Sequence, residues 1–345
     1  MTSMGGIAVI VTGLGSCIAI DVVRSLRADS SVRIIGCDAD EWALRQMSPL
    51  VDATVLVPRA DAHGAAFFAT LEQLICEETA TCVFLCSDAE VEAYADEAPQ
   101  LSCPITGPSP ELSGVLADKA KTFAAVDEPG LFPWTLAITS EEDIDKAFAA
   151  LGNPLWLRAR KGAGARRALE LDSAEEGKAW MRYWRLRGCA DDSWLIHEFL
   201  PGAIINWSGA YRQGELIAGA AMQRMRYLLA ESTMTGISGQ TAHGITVDAK
   251  VYEEVSDAAI RKLSSNPEGI YSVDLRLDVQ GRPRITEISA RLAGRPALLA
   301  AAGTNLPLAV VRLHAGAPVG DAIHESGPRL GVRMHRQIDV EPLLT

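Results

Sequence analysis

No long apolar run, no paired-cysteine motif and no excess of basic charge occur in this chain, and each absence removes a class of function. A stretch of about 18 or more apolar residues would mark a membrane-spanning helix. The first apolar segment, in "MTSMGGIAVIVTGLG", meets a turn after a few residues and has no basic stretch before it, so neither a secretory leader nor a span is expected there. The net charge of −12 and a pI near 5.0 give no electrostatic footprint for DNA, RNA or an anionic membrane. Seven cysteines, an odd number without CxxC spacing, fit buried reduced thiols better than disulfides or zinc. Cys82 and Cys86 are expected in or beside an apolar strand. Internal repeats and low-complexity tracts are lacking too. These exclusions leave a cytoplasmic protein whose partner is a small molecule, and 345 residues suffice for two or three sub-domains.

Short apolar runs alternate with helical patterns over the first hundred or so residues. Ile7–Val11 reads as a strand, "TGLGSCIAIDVVRSLR" as a glycine turn leading into a helix, and "VRIIGCD" as a strand ending at Asp38. "ATVLVP", a helix over Ala65–Glu77 and "TCVFLCSD", a strand running to Asp88, continue the alternation, which predicts a parallel, Rossmann-like sheet. Gly13-x-Gly15 with Asp38 is half of a dinucleotide fingerprint, but Ile18 stands where the third glycine belongs, so a plain tight turn is the favoured reading.

After the Pro/Gly/Ser-rich "CPITGPSPE" the organisation changes. A helix holding Asp118 and Lys119, an amphipathic helix over Glu141–Leu151, the strand "PLWLRAR", the basic loop "KGAGARR", the strand "LELD" and a helix over Ser173–Arg187 come first. Then follow "SWLIHEFLPG", a hairpin turning near Gln213-Gly214, a Gly/Ser/Thr-rich loop from Ser232 to Gly244, a helix near Val251–Leu263, a second hairpin in "YSVDLRLDVQGRPRITEISAR" and an apolar helix from Pro296. Mostly antiparallel strands with helices imply an α+β half.

Glu287, between Ile285 and Ile288 in a strand-like segment, needs a partner, because an unpaired carboxylate out of water is costly. A two-residue turn at Gln280-Gly281 would set Asp274 opposite Glu287 and Ser272 opposite Ser289. Like charges so placed repel unless a cation lies between them, and oxygen donors from adjacent strands suit Mg²⁺. A half-exposed face on which Asp274, Arg276 and Asp278 alternate outward explains the pattern equally well. In "RARKGAGARR", Arg158, Arg160, Lys161, Gly162 and Gly164 offer cations and backbone N–H groups to a polyphosphate, although GK[ST] is absent. "IHEFLPG" presents Glu198 before a Pro-Gly turn, where a strand edge could pair with a purine.

The order of these pieces resembles the ATP-grasp superfamily, specifically its carbamoyl-phosphate-synthetase-like carboxylate–amine ligases. The resemblance covers nearly the whole chain, and the final hairpin is its most specific part. It implies an α/β protein, with an N-terminal Rossmann-like parallel sheet (pre-ATP-grasp, 1–108) followed by an α+β ATP-grasp fold, divided into a small lid (109–192) and a C-terminal part (193–345). By the same resemblance Lys119 and Arg158 contact ATP phosphates, the Gly162–Gly164 loop closes over them, and Glu198, Phe199 and Leu200 hold adenine. Asp274 and Glu287 bind Mg²⁺ (Mn²⁺ as a substitute), with Ser289 where relatives carry asparagine, and Arg291 meets the transferred phosphoryl group or the acyl phosphate. Relatives often place a ribose-binding Glu after the Pro-Gly turn, where this chain offers only Asn206.

The expected activity is an ADP-forming amide ligation between a small carboxylate and an amine, amino acids or their derivatives; the oligomeric state stays open, a homodimer being the form that relatives often take. In "QRMRYLLAESTMTGISGQTAHG", Arg224 and Arg226 are candidates to clamp a substrate carboxylate and His243 to take the amine's proton, a solvated surface loop being the plainer reading of His243. Two other readings stay open: an enzyme phosphorylating bicarbonate or carbamate, and a nucleotide-binding protein without catalysis.

Overall fold

The structure, a computed structural model, describes residues 6–162, 164–165, 167–189, 194–233, 235–293, 295–337 and 343–344. Its first part alternates strand and helix: β1 (Ala8–Val11), α1 (Cys17–Leu26), β2 (Arg33–Asp38), α2 (Glu41–Met47), β3 (Ala53–Leu56), α3 (Ala60–Glu78), β4 (Cys82–Phe84) and α4 (Asp88–Glu97). The strands pair in parallel in the order β3-β2-β1-β4. β1, reading AVIV, is buried at every position, as a central parallel strand covered on both faces must be. Asp88 does not end a strand as expected; it opens α4. Ser87 accepts from Glu90 N while the Glu90 carboxylate accepts from Ser87 N, a capping box that starts the helix there.

The single helix expected around Asp118 is two helices, α5 (Pro110–Leu116) and α6 (Lys119–Val126). Asp118 caps the second by accepting from Ala120 N and Lys121 N, which fixes Lys119 at the first helical position. Next come β5 (Thr135–Ile138), α7 (Glu141–Leu151), β6 (Leu155–Ala159), β7 (Leu169–Leu171), α8 (Ala174–Leu186) and β8 (Trp194–Glu198), whose strands form an antiparallel sheet in the order β5-β8-β6-β7. Ile144 and Met181 from the helices pack on Ile138, Leu157, Trp194 and Ile196 in a core cluster of their own. A segment with its own core can move as a unit. The expected division between 192 and 193 falls outside the described residues, and since β8 pairs with β5 and β6, this sheet runs on to Glu198.

β9 (Ile204–Arg212), β10 (Glu215–Tyr227), β11 (Thr241–Val247), α9 (Lys250–Leu263), β12 (Gly269–Leu277), β13 (Pro283–Ser289), α10 (Pro296–Ala301), α11 (Leu306–His314), β14 (Arg333–His335) and β15 (Leu343–Leu344) complete the chain. Their strands form a seven-stranded sheet in the order β13-β12-β9-β10-β11-β14-β15. The β9–β10 hairpin turns at Gln213-Gly214 as expected, through a two-residue loop in which both residues have positive φ (53° and 84°). The glycine-rich loop ends earlier than expected, at Gln240, because β11 begins at Thr241. Of the cysteines, Cys37, Cys82, Cys86 and Cys103 are buried, whereas Cys76 is exposed, against the expectation for it. Among the described residues no helix is long and apolar enough to cross a membrane.

Trp207, Tyr271 and Val273 of the large sheet join Ile10, Phe67 and Leu71 of the first part in one hydrophobic cluster. The joint is close at Gly269, whose φ is +83° and where a Cβ would lie 2.6 Å from Gly107 O and 2.7 Å from Thr106 O. Gly269→Ala combines left-handed strain with overpacking against backbone. It is expected to cost about 2–4 kcal/mol and to lower the thermal midpoint by several degrees, read by calorimetry.

Candidate active site

The β12–β13 hairpin sets Asp274 directly opposite Glu287 and Ser272 opposite Ser289. It does so by a route other than a two-residue turn. The loop has three residues, Val279 to Gly281, closed by Asp278 N donating to Arg282 O (2.9 Å), with Gly281 at φ +76°. That alone would displace the pairing by one residue, and a bulge at Thr286 restores it, since Leu275 pairs with Ile285 but Asp274 with Glu287.

The bulge also builds the site. Arg158 on β6 donates from Nη1 to Thr286 O (3.0 Å) and from Nη2 to Glu287 Oε2 (2.7 Å). Lys119, 3% exposed, brings Nζ to 3.5 Å from the same oxygen and donates to Gly162 O (3.0 Å). Burial would raise the Glu287 carboxyl pKa, but Lys119 and Arg158 outweigh it and hold the group at about 2, against an ordinary 4.5. Burial pushes the Lys119 ammonium down, opposed by Glu287. Asp274 accepts from Asn206 Nδ2 (2.9 Å) across the β9–β12 pairing, so Asn206, 1% exposed, orients the second carboxylate. The ion pair of Glu287 stabilises the fold fully above about pH 4.5 and is lost as the pH falls through about 2. The stability gap between wild type and Glu287→Gln, from urea unfolding, is therefore expected to close as the pH is lowered across that window.

Arg158, Asp274 and Glu287 face a cavity of about 450 Å³. Glu198, Phe199 and Leu200 line one region with Trp156 and Pro133; Glu198 accepts from Trp134 N (3.0 Å) and Arg276 stacks 5.2 Å from the Phe199 ring centroid. Buried His197 bonds Thr135 Oγ1 through Nδ1 (2.7 Å), and burial, with Arg158 and Lys119 nearby, pushes its pKa far down, so the ring is neutral. Arg158, Asp274, Glu287, Ser289 and Arg291 line the central region. Arg291 is held by Asp88 through two bonds, Nε–Oδ1 2.8 Å and Nη2–Oδ2 2.7 Å, which ties the hairpin to the first turn of α4. Two loops meet along another wall: Gly164 and Ala165 from one, Ile237 to Gln240 from the other. A Cβ on Gly239 would lie 2.6 Å from Gly164 Cα.

Several candidates lie elsewhere. Lys161 is exposed and not part of the cavity wall, while Lys119 and Gly162 border a small crevice behind Glu287 and Arg291. Arg224 lines the cavity; Arg226 does not, and pairs with Glu231 at the surface. Two residues apart on a regular strand they would share a face, but a register shift places Arg224 opposite Gly244 and Arg226 opposite His243, so they point to opposite faces. His243 follows Arg226 and meets His335 edge to face (centroids 4.9 Å apart) away from the cavity. Residues the sequence reading passed over also line it: Asp88, whose capping box was legible as Ser87-x-x-Glu90, and Gln240 and Arg295, which carried no local signal. The Gly13-x-Gly15 turn is filled by its own surroundings. Gly15 N donates to Asp38 Oδ2 (2.8 Å), a Cβ there would meet Ala43 Cβ at 2.7 Å, and Glu90 accepts from Thr12 Oγ1 (2.7 Å). Asp38 thus serves the turn rather than a ribose.

The structure is similar to the biotin carboxylase domain of the 2-oxoglutarate carboxylase of Hydrogenobacter thermophilus, a dimer complexed with MgADP, ADP and bicarbonate, at a TM-score of 0.72 and 13% identity over 95% of this chain and 73% of that one. It is similar to N5-carboxyaminoimidazole synthetase from Staphylococcus aureus (TM-score 0.67, 12% identity, 96% and 82% covered) and to L-amino acid ligase from Bacillus licheniformis (0.66, 15%, 95% and 78%). No protein-family model and no curated protein matches the sequence. At such identities the likeness is one of fold.

Proposed function

From the ATP-grasp fold that this chain has, we propose an ATP- and Mg²⁺-dependent ligase that joins a carboxylate to an amine and releases ADP and phosphate. The observation that carries this reading is the Asp274–Glu287 pair, opposed across one hairpin in a cavity with Arg158 behind it. Hard oxygens from adjacent strands fit Mg²⁺ or Mn²⁺, with the Ser289 hydroxyl as a neutral donor beside them, and the ion when bound neutralises phosphate oxygens.

A substrate carboxylate oxygen attacks the γ-phosphorus of ATP, the bond to ADP breaks, and an acyl phosphate results. The amine nitrogen then attacks the acyl carbon; the C–N bond forms, the C–O bond to phosphate breaks, phosphate leaves with the electron pair, and the nitrogen loses a proton. No protein nucleophile is required. Arg158 and Arg291 supply fixed positive charge from the cavity wall where negative charge develops on the transferring group, and Lys119 backs Glu287 from the crevice behind it. Glu198 to Leu200 hold the base, and the Gly162–Gly164 loop keeps water from the acyl phosphate.

Thermal shift of the full chain with Mg²⁺ and a non-hydrolysable ATP analogue, and separately with NAD, tests this. Ligand at about 100 times its dissociation constant stabilises by roughly 2.7 kcal/mol, readily seen. Stabilisation by the analogue alone, followed by ADP release with paired acids and amines, is expected; stabilisation by NAD alone, or by neither, removes the reading. A carboxylase-like enzyme has one observation in its favour, the bicarbonate in the Hydrogenobacter structure. Bicarbonate-dependent ADP release without an added acid would select it, and nucleotide binding without turnover would leave a binding protein.

A further inference from the structure

Arg295 precedes α10, is 2% exposed and lines the cavity. Its Nη2 donates to Gln240 Oε1 (2.5 Å), while Nε and Nη1 have no hydrogen-bond partner. Its carboxylate neighbour, Asp21 of α1, is 3.6 Å from Nη1 and is shared with Arg336 at 2.6 Å and Arg24 at 3.9 Å. Arg295 thus shares Asp21 with Arg336, the nearer of the two, and has no carboxylate to itself among the described residues. Arg224 lies close by in the fold. It donates from Nε to Thr241 Oγ1 (2.8 Å) and from Nη1 to Tyr227 OH (3.1 Å) and stacks on the Tyr227 ring at 4.7 Å, with no ion pair among the described residues. Gln240 and Thr241 are consecutive, about 3.8 Å apart at Cα, and Arg295 and Arg224 both line the cavity.

A guanidinium kept from water without its full set of acceptors is costly, and planar N–H donors match a carboxylate. Glu287 already has Arg158 and Lys119; Arg224 lies in the field of Asp274 and Glu287, but among the described residues neither it nor Arg295 bonds to a hairpin carboxylate. We propose that this end of the cavity is a carboxylate subsite, in which Arg295 and Arg224 hold a carboxylate of a substrate other than the one that reacts. The proposal rests on the ligase reading and narrows its substrates to two sources. The carboxylate belongs either to an amino acid that supplies the amine or to a dicarboxylic acid that supplies the acyl group.

The test is thermal shift of the full chain with Mg²⁺ and a non-hydrolysable ATP analogue present, titrated with free amino acids beside their α-amides, and with succinate and glutarate beside their monoamides. The shift from the analogue alone is recorded first and bears on the ligase reading separately. At least one free acid is expected to stabilise the protein with half-saturation about 10-fold or more below that of its amide. A response in the amino-acid arm assigns the carboxylate to the amine substrate, and one in the dicarboxylate arm to the acid. Arg295→Lys, which keeps a charge beside Asp21 but loses Nε, and independently Arg224→Gln, are expected to weaken that response about 10-fold or more. Equal response to acids and amides, a wild-type response in both variants, or no response to any acid of the panel overturns the proposal. The ligand-free unfolding midpoint shows whether Arg295→Lys folds, and Arg224→Gln decides if it does not.

Discussion

Glu287→Gln is expected to fold, to retain measurable nucleotide binding, and to release ADP at least about 10³-fold more slowly than wild type under saturating Mg²⁺. The side chain keeps its shape and one acceptor oxygen for Arg158 Nη2, so the hairpin and the bulge at Thr286 stay tied to β6. What disappears is the negative charge that balances Lys119 and Arg158 and that would share the metal with Asp274. Removing a single well-placed electrostatic partner of a transition state costs about 10²–10³ in rate elsewhere, and here charge balance and metal affinity are lost together. Raising Mg²⁺ or Mn²⁺ should recover part of the rate in the variant, and the conservative Glu287→Asp should recover more. A Glu287→Gln protein with wild-type turnover would reduce the carboxylate pair to a structural feature of the hairpin, and the ligase reading would go with it.

The hairpin shows how far residue pattern carries and where it stops. Period-two alternation and Gly281 sufficed to place Asp274 opposite Glu287, yet both the assumed turn and the assumed unbroken ladder were wrong, by one residue each and in opposite senses. A bulge has little sequence signature of its own, because it answers to contacts made elsewhere: Thr286 O is freed to receive Arg158 from a strand more than a hundred residues away. The same blindness misplaced Arg226: the stretch reads as a substrate-recognition loop, and the shift in β10 that turns Arg226 away from Arg224 was not legible, whereas the plainer surface reading of His243 agrees with its place outside the cavity. Alternating elements of the first part, the Gln213-Gly214 turn and helix α7 were readable, since each rests on local periodicity or a local backbone requirement. Arg295 was not. Nothing within several residues of it indicates that Asp21, far back in the chain, and Gln240 will stand on either side of its guanidinium.

The largest effect away from the carboxylates is expected at the contact between the two loops. Gly239→Val is predicted to lower amide formation about 10²-fold while phosphate release falls less, so that more ATP is consumed per product formed. A Cβ at 239 would lie 2.6 Å from Gly164 Cα, a backbone atom, with no flexible side chain to yield. One loop must withdraw, and both line the cavity wall that shields the acyl phosphate. Displacement of about 1 Å at such a site costs on the order of 10² in rate. The mutation also strains the backbone, because Gly239 has φ +73°, and the chain contains its own control for that part. Gly236 has φ +68° in the same loop, but a Cβ there meets nothing within 4 Å. Gly236→Val therefore carries comparable strain without the collision. If both variants lose coupling equally, backbone strain alone explains the defect and the loop contact has no role. If only Gly239→Val uncouples phosphate release from amide formation, measured side by side in one assay, the two loops act as the seal between the reacting groups and solvent.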